Sequence, residues 1–74
     1  MEEMSLKILE IIRTEFNRPE AEESSRLKED LHFDEIDLIK LQYALEEEFI
    51  IEISDEEIKA WETVEDVIKT VTKK

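Results

Sequence analysis

Apolar residues recur three and four positions apart in three stretches of the chain, the spacing that places them on one face of a helix. In residues 3–16 the stripe is Ile8, Leu9, Ile12 and Phe16. In residues 35–49 it is Leu38, Leu41, Leu45 and Phe49, and near the C-terminus it is Val64, Val67, Ile68 and Val71. The first helix is expected to stop at Asn17, Arg18 and Pro19, because the residue before a proline is pushed out of the α region and the chain has no glycine for a left-handed cap. Asp34 is suited to cap the second helix, where Glu35 and Asp37 complement the positive end of the dipole. A short third helix over residues 56–60 begins near Asp55, with Ser54 or Asp55 as its cap, and Trp61 follows it. Thr63 opens the last helix, with Asp66 three residues on as a weaker form of the capping box. The pattern predicts an all-α fold of three longer helices and one short third helix, in a single domain covering residues 1–74.

Between the first two helices lies a long polar connection. Residues 21–25 carry few apolar anchors, whereas Leu27 and Leu31, four apart, are expected to pin the segment across the bundle. Connections of this length in a small helical domain tend to be functional or to pack on their own side chains.

Composition narrows the picture. With 74 residues and no cysteine, stability must come from helix packing without a disulfide. A hydrophobic content of 41% separates the chain from disordered acidic tails. The apolar runs are too short to span a bilayer and no basic segment precedes an apolar stretch at the N-terminus, so a soluble cytoplasmic protein is expected. A net charge of −12 argues against nucleic acid and anionic membranes and for a protein partner with a basic patch. The same charge favours a monomer.

The second helix carries more apolar surface than one packed side requires. At about 100° per residue, Ile36, Ile39 and Tyr43 form a second stripe well away from Leu38, Leu41 and Leu45. One reading packs this stripe against the third helix or the long connection. The other makes it a docking surface, with Asp34, Asp37, Glu46 and Glu47 as an acidic rim that meets basic residues around an apolar groove on a partner.

Residues 30–49, DLHFDEIDLIKLQYALEEEF, resemble the signature stretch of the acyl carrier proteins. The resemblance extends over Leu27 and Glu29-Asp30-Leu31 before it, and over Ile53-Ser54-Asp55-Glu56-Glu57 and Thr63-Val64 after it, without a gap from Asp30 to Val64. It implies a four-helix bundle whose acidic second helix is the surface that carrier-protein-dependent synthases and transferases recognise. By position, Ile36, Ile39 and Tyr43 match the exposed apolar contacts of that helix. Lys40 departs from the pattern, since an acid usually stands there, which would weaken or redirect binding to ordinary partners.

Members of that family carry phosphopantetheine on a serine in an Asp-Ser-Leu triplet, and the triplet here reads Asp34-Glu35-Ile36. A carboxylate cannot replace the hydroxyl in the phosphodiester, so no cofactor is expected on the chain as written. Ser5, Ser24, Ser25 and Ser54 lie away from the start of the second helix. Glu35 can be read as a favourable first-turn acid worth about 0.3–1 kcal/mol, as an incomplete imitation of phosphoserine, or as an introduced replacement. The resemblance also implies a cavity for an acyl chain between helices two, three and four. Ile58, Trp61 and Val67 could fill it, although Trp61 can equally be an ordinary core or rim residue.

Catalytic and metal chemistry find little support. His32 is the only histidine, so the usual zinc ligands are missing, and Asp30, Asp34 and Asp37 lack the glycine and distal glutamate of a calcium loop. His32 with Asp34 and Glu35 has no evident nucleophile beside it. No enzyme is expected. Three functions remain: a protein-interaction module lacking the phosphopantetheine serine; a true acyl or aminoacyl carrier of fatty-acid, lipid or polyketide-type biosynthesis whose attachment serine is replaced at position 35; and an acidic inhibitor that mimics nucleic acid.

Overall fold

Three helices of this chain begin with the same reciprocal device, and each sits where a short polar residue precedes an acid by three positions. The computed structural model describes residues 2–74 and contains α1 (Glu2–Glu15), α2 (Glu35–Phe49), α3 (Asp55–Lys59) and α4 (Val64–Thr72). At the head of α2 the Asp37 amide donates to Asp34 Oδ1 at 2.8 Å, and the Asp34 amide donates to Asp37 Oδ2 at 3.2 Å. Ser54 and Glu57 do the same for α3, and Thr63 and Asp66 for α4. Each box satisfies two of the amides that a helix start leaves without partners. Ser54, not Asp55, is the α3 cap, and the box at Thr63 has both of its bonds. It even reaches one residue further, because Asp66 Oδ2 also accepts the Glu62 amide at 2.9 Å.

Helix ends differ more from expectation. α1 stops one residue before Phe16, and α3 covers Asp55–Lys59 with Ala60 as its C-cap. The lack of glycine does not exclude left-handed turns: Asn17 (φ 55), His32 (φ 58) and Ile50 (φ 54) all adopt positive φ. Asparagine tolerates this region because its short side chain bonds locally. Ile50 is β-branched and 89% exposed, so the C-cap of α2 is held at a cost of about 1–3 kcal/mol without burial in return.

The helices pack by the faces that their periodicity defines. Ile8, Ile12, Leu41, Leu45, Val64, Val67 and Val71 are fully buried, and α1 packs against both α2 and α4. Ile11 joins the buried face of α1, whereas Phe16 and Phe49 end their stripes only partly buried against the core. Among the described residues no helix is long and apolar enough to cross a membrane.

The connection over residues 16–34 is ordered without a helix of its own. Ala21, Leu27, Leu31 and Phe33 bury their side chains in the core, so Leu27 and Leu31 do pin it. Its backbone in turn serves α4: Ser25 O accepts the Val64 amide at 3.0 Å and Glu23 O accepts the Glu65 amide at 2.9 Å. The Leu27 amide donates back to Glu62 O at 2.9 Å, which makes an isolated antiparallel bridge between Arg26 and Thr63. The orphan amides of α4 that its capping box leaves over are thus taken by the loop.

Between α2 and α3 the chain is fixed at Ile53. Gln42 Nε2 donates to Ile53 O at 2.5 Å, while the Ile53 amide donates to Glu46 Oε2 at 2.8 Å. Two α2 side chains one turn apart therefore satisfy both backbone groups of one buried residue. Removing the Glu46 carboxylate leaves the Ile53 amide without its partner. Glu46→Ala is expected to lower stability by about 1–3 kcal/mol in urea unfolding, and Glu47→Ala, at an exposed site, to change it by less than about 0.5 kcal/mol.

The α4 cap also predicts a pH dependence. The Glu62 and Thr63 amides hold the Asp66 carboxyl below its ordinary value of 3.8. A carboxyl depressed by folding contributes stability that is complete above its unfolded value and is lost as pH falls through the folded one. Asp66→Asn removes that titration. The stability difference between parent and variant should be constant above roughly pH 5 and shrink below pH 3.8, as read from urea midpoints across the range.

Candidate functional site

The head of α2 and its outward face gather the residues that the sequence singles out. Leu38, Leu41 and Leu45 turn into the core, and the second apolar stripe on the other side of the helix faces solvent: Ile36 is 62%, Ile39 46% and Tyr43 61% exposed. The second stripe is therefore not covered by the loop, and only Ile39 also approaches α3. Three apolar side chains on one exposed helical face are surface that water solvates poorly, and burying them against another surface is favourable.

The acidic residues around the stripe are not equivalent. Asp34 and Asp37 are engaged in the α2 capping box, and Asp37 Oδ2 also lies 3.6 Å from the Arg18 guanidinium. Glu46 is partly buried and committed to Ile53. Its place in the expected rim is weakened for that reason, since its carboxylate already has a structural partner. Glu35 and Glu47 are exposed, and Lys40 is an exposed cation on the same helix. Asp34, Glu35, Ile36 and Asp37 together present carboxylates and no hydroxyl at the helix head. Of the serines, Ser54 caps α3 and Ser25 Oγ accepts the Glu22 amide within the long loop.

Beside Glu35 an open cleft of about 360 Å³ runs between α2 and α3. Leu38, Ile39, Ile58 and Trp61 give it apolar walls, and Lys28, Lys59, Glu35 and Asp55 stand around it. Ile58 and Trp61 line this space without closing it, while Val67 lies in the core and takes no part. The indole is held back by its own polar atom, for Trp61 Nε1 donates to Thr70 Oγ1 at 2.8 Å. The two lysines carry no sequence signal as site residues. They are 31 positions apart, and only the fold of the long loop over the end of α3 brings them to one cleft.

Comparison with known proteins agrees with this geometry. The family described as a phosphopantetheine attachment site matches residues 6–71. The chain is 41% identical over 64 residues to an acyl carrier protein of Helicobacter hepaticus, an alignment covering 86% of this chain and 84% of that protein. With an acyl carrier protein of Wolinella succinogenes it shares 46% identity over 55 residues, 74% of this chain and 72% of the other. The fold superimposes on the crystal structure of an acyl carrier protein from Thermotoga maritima with a TM-score of 0.83 at 36% identity, covering 99% of this chain and 87% of that one. A four-helix arrangement with an exposed apolar and acidic second helix, matched along nearly its whole length by such relatives, shows that this chain belongs to the acyl carrier protein family, whose members are carriers and not enzymes.

Proposed function

We propose that this chain is a carrier-family domain that works by binding alone, docking α2 against enzymes that accept carrier proteins. The observation that carries this reading is the pairing of an exposed Ile36, Ile39 and Tyr43 stripe with a helix head that holds Glu35 and no hydroxyl. Attachment of phosphopantetheine requires an alcohol hydroxyl whose oxygen becomes the ester oxygen of the phosphodiester, whereas a carboxylate would form a mixed anhydride. The carboxylates of Asp34, Glu35 and Asp37 do not fit that role, so no step is assigned to the group on this chain.

In this reading Ile36, Ile39 and Tyr43 supply the apolar contact and Asp34, Asp37 and Glu47 the surrounding field, with Glu46 committed to Ile53. Electrostatics of this kind speeds encounter with a basic partner more than it adds affinity. The partner is a synthase or transferase with a basic and apolar patch, which the domain occupies in place of a loaded carrier. The domain acts as a monomer in the cytoplasm, where a net charge of −12 opposes self-association.

The open cleft beside position 35 favours a second reading. Its apolar walls leave room for an alkyl group, as a true carrier with a replaced attachment residue would need.

One experiment separates them from unrelated functions. Glu35→Ser and its parent are incubated with coenzyme A and a broad-specificity phosphopantetheinyl transferase, and intact masses are read. Gain of the arm by the variant alone is expected, and it would show that the recognition surface is intact around a missing handle. Failure of both would move the search to other basic partners. For the docking surface, Tyr43→Ala combined with Ile39→Ala should weaken inhibition of a carrier-dependent transferase at least about tenfold, with an unchanged thermal midpoint. Equal inhibition by parent and double variant would remove the stripe from the interface.

A further inference from the structure

Arg18 makes a set of contacts that neither the capping of the helices nor the docking surface explains. Its Nε donates to Leu31 O at 2.5 Å, one terminal nitrogen donates to Phe16 O, and the other lies 3.6 Å from Asp37 Oδ2. The guanidinium also sits 5.1 Å from the centroid of the Phe33 ring, and Phe33 stacks on Phe16 with centroids 5.2 Å apart.

The placement of these contacts along the backbone is informative. Phe16 O belongs to the peptide that leads into Asn17, and Leu31 O to the peptide that leads into His32. Asn17 and His32 are the two residues of positive φ in the connection between α1 and α2. On the far side of His32 the chain continues into Phe33, whose ring is stacked on the same guanidinium. One side chain therefore grips both left-handed turns. The planar fork of arginine can donate in several directions while its face stays stacked on a ring, which an ammonium cannot do.

A left-handed residue other than glycine costs conformational energy, least for asparagine and histidine, and contacts that fix the flanking groups offset that cost. The chain has no glycine at all. The structure assigns Arg18 the role of a positioning residue: it holds the strained turns at Asn17 and His32 and so sets the direction in which the chain enters α2. Through the contact with Asp37 in the first turn, it places residues 34–39, including Glu35 and the start of the exposed stripe. That this placement matters for docking rests on the function proposed above, but the placement itself can be tested without it.

If Arg18 acts by holding His32 in the left-handed region, glycine at position 32 should remove most of the need for it. Amide hydrogen exchange would be measured for the parent, Arg18→Met, His32→Gly and the double variant. The reporting amides are Phe33, which donates to Leu27 O, and Asp37 and Leu38, which donate to Asp34. Arg18→Met should raise their exchange about tenfold over any change at Val67 and Val71 in α4. His32→Gly should change little by itself and, in the Arg18→Met background, return these amides to within about threefold of the parent.

A merely structural arginine would give a different result. Exchange would rise equally in all helices, or His32→Gly would have the same effect in both backgrounds, and either outcome overturns the assignment. Should Arg18→Met fail to fold, Arg18→Lys keeps the charge but loses the fork, and the same rescue by His32→Gly is required of it. Transferase modification in the Glu35→Ser background then reads the functional part separately. A raised KM with preserved kcat is the expected result of a misplaced helix head, whereas local exchange that changes without any change in KM would retain the clamp and count against docking at this surface.

Discussion

Every change of direction in this chain has to be made without glycine, and much of the architecture follows from that constraint. A helix start exposes unpaired amides, and a left-handed residue is a common way to turn the chain at a helix end or in a loop. Side chains answer the first need through reciprocal boxes at Asp34, Ser54 and Thr63. The second is answered by contact with Arg18 in the long connection and by a local backbone bond at the end of α2. Asn17 and His32 lie between groups held by Arg18, while Ile50 closes α2 through the bond from its own amide to Glu46 O.

The long connection between α1 and α2 is the clearest product of this arrangement. It has no regular structure to satisfy its backbone, so it exchanges hydrogen bonds with the N-terminus of α4, and its apolar residues fill the core between the helices. Helix α4 in turn depends on that loop for amides that Thr63 and Asp66 do not reach. The loop and the last helix thus stabilise one another, which suits a domain whose core is small for independent stability.

The same economy shapes the functional surface. The inner face of α2 is committed to the core, and its ends to the Asp34 box and the Ile53 contacts. What remains free is the stripe of Ile36, Ile39 and Tyr43, the acids Glu35 and Glu47, and the cleft toward α3. A surface built on a helix fixed at both ends presents its contacts at little cost in ordering on binding. Glu46 illustrates how a residue that reads as part of a charged rim can be taken by the scaffold instead.

The sequence by itself determined the helices, the caps at Asp34 and Thr63 and most of the buried faces, because periodicity and capping are local: the spacing of Val64, Val67, Ile68 and Val71, or of Thr63 and Asp66, means the same in any surroundings. It also determined the resemblance to acyl carrier proteins and the absence of a hydroxyl at position 35. Only the tertiary structure decided that the second stripe stays exposed, that Glu46 serves Ile53, and that Ile58 and Trp61 line a cleft without filling it. It alone brings Lys28 to Lys59 and Arg18 to Phe33. Those outcomes depend on which distant groups meet, and no local pattern records the partner of an exposed carboxylate or the ring beneath a guanidinium. The left-handed turns fall between the two cases: the lack of glycine is written in the sequence, but the contacts that allow Asn17 and His32 to replace it exist only once the loop is folded.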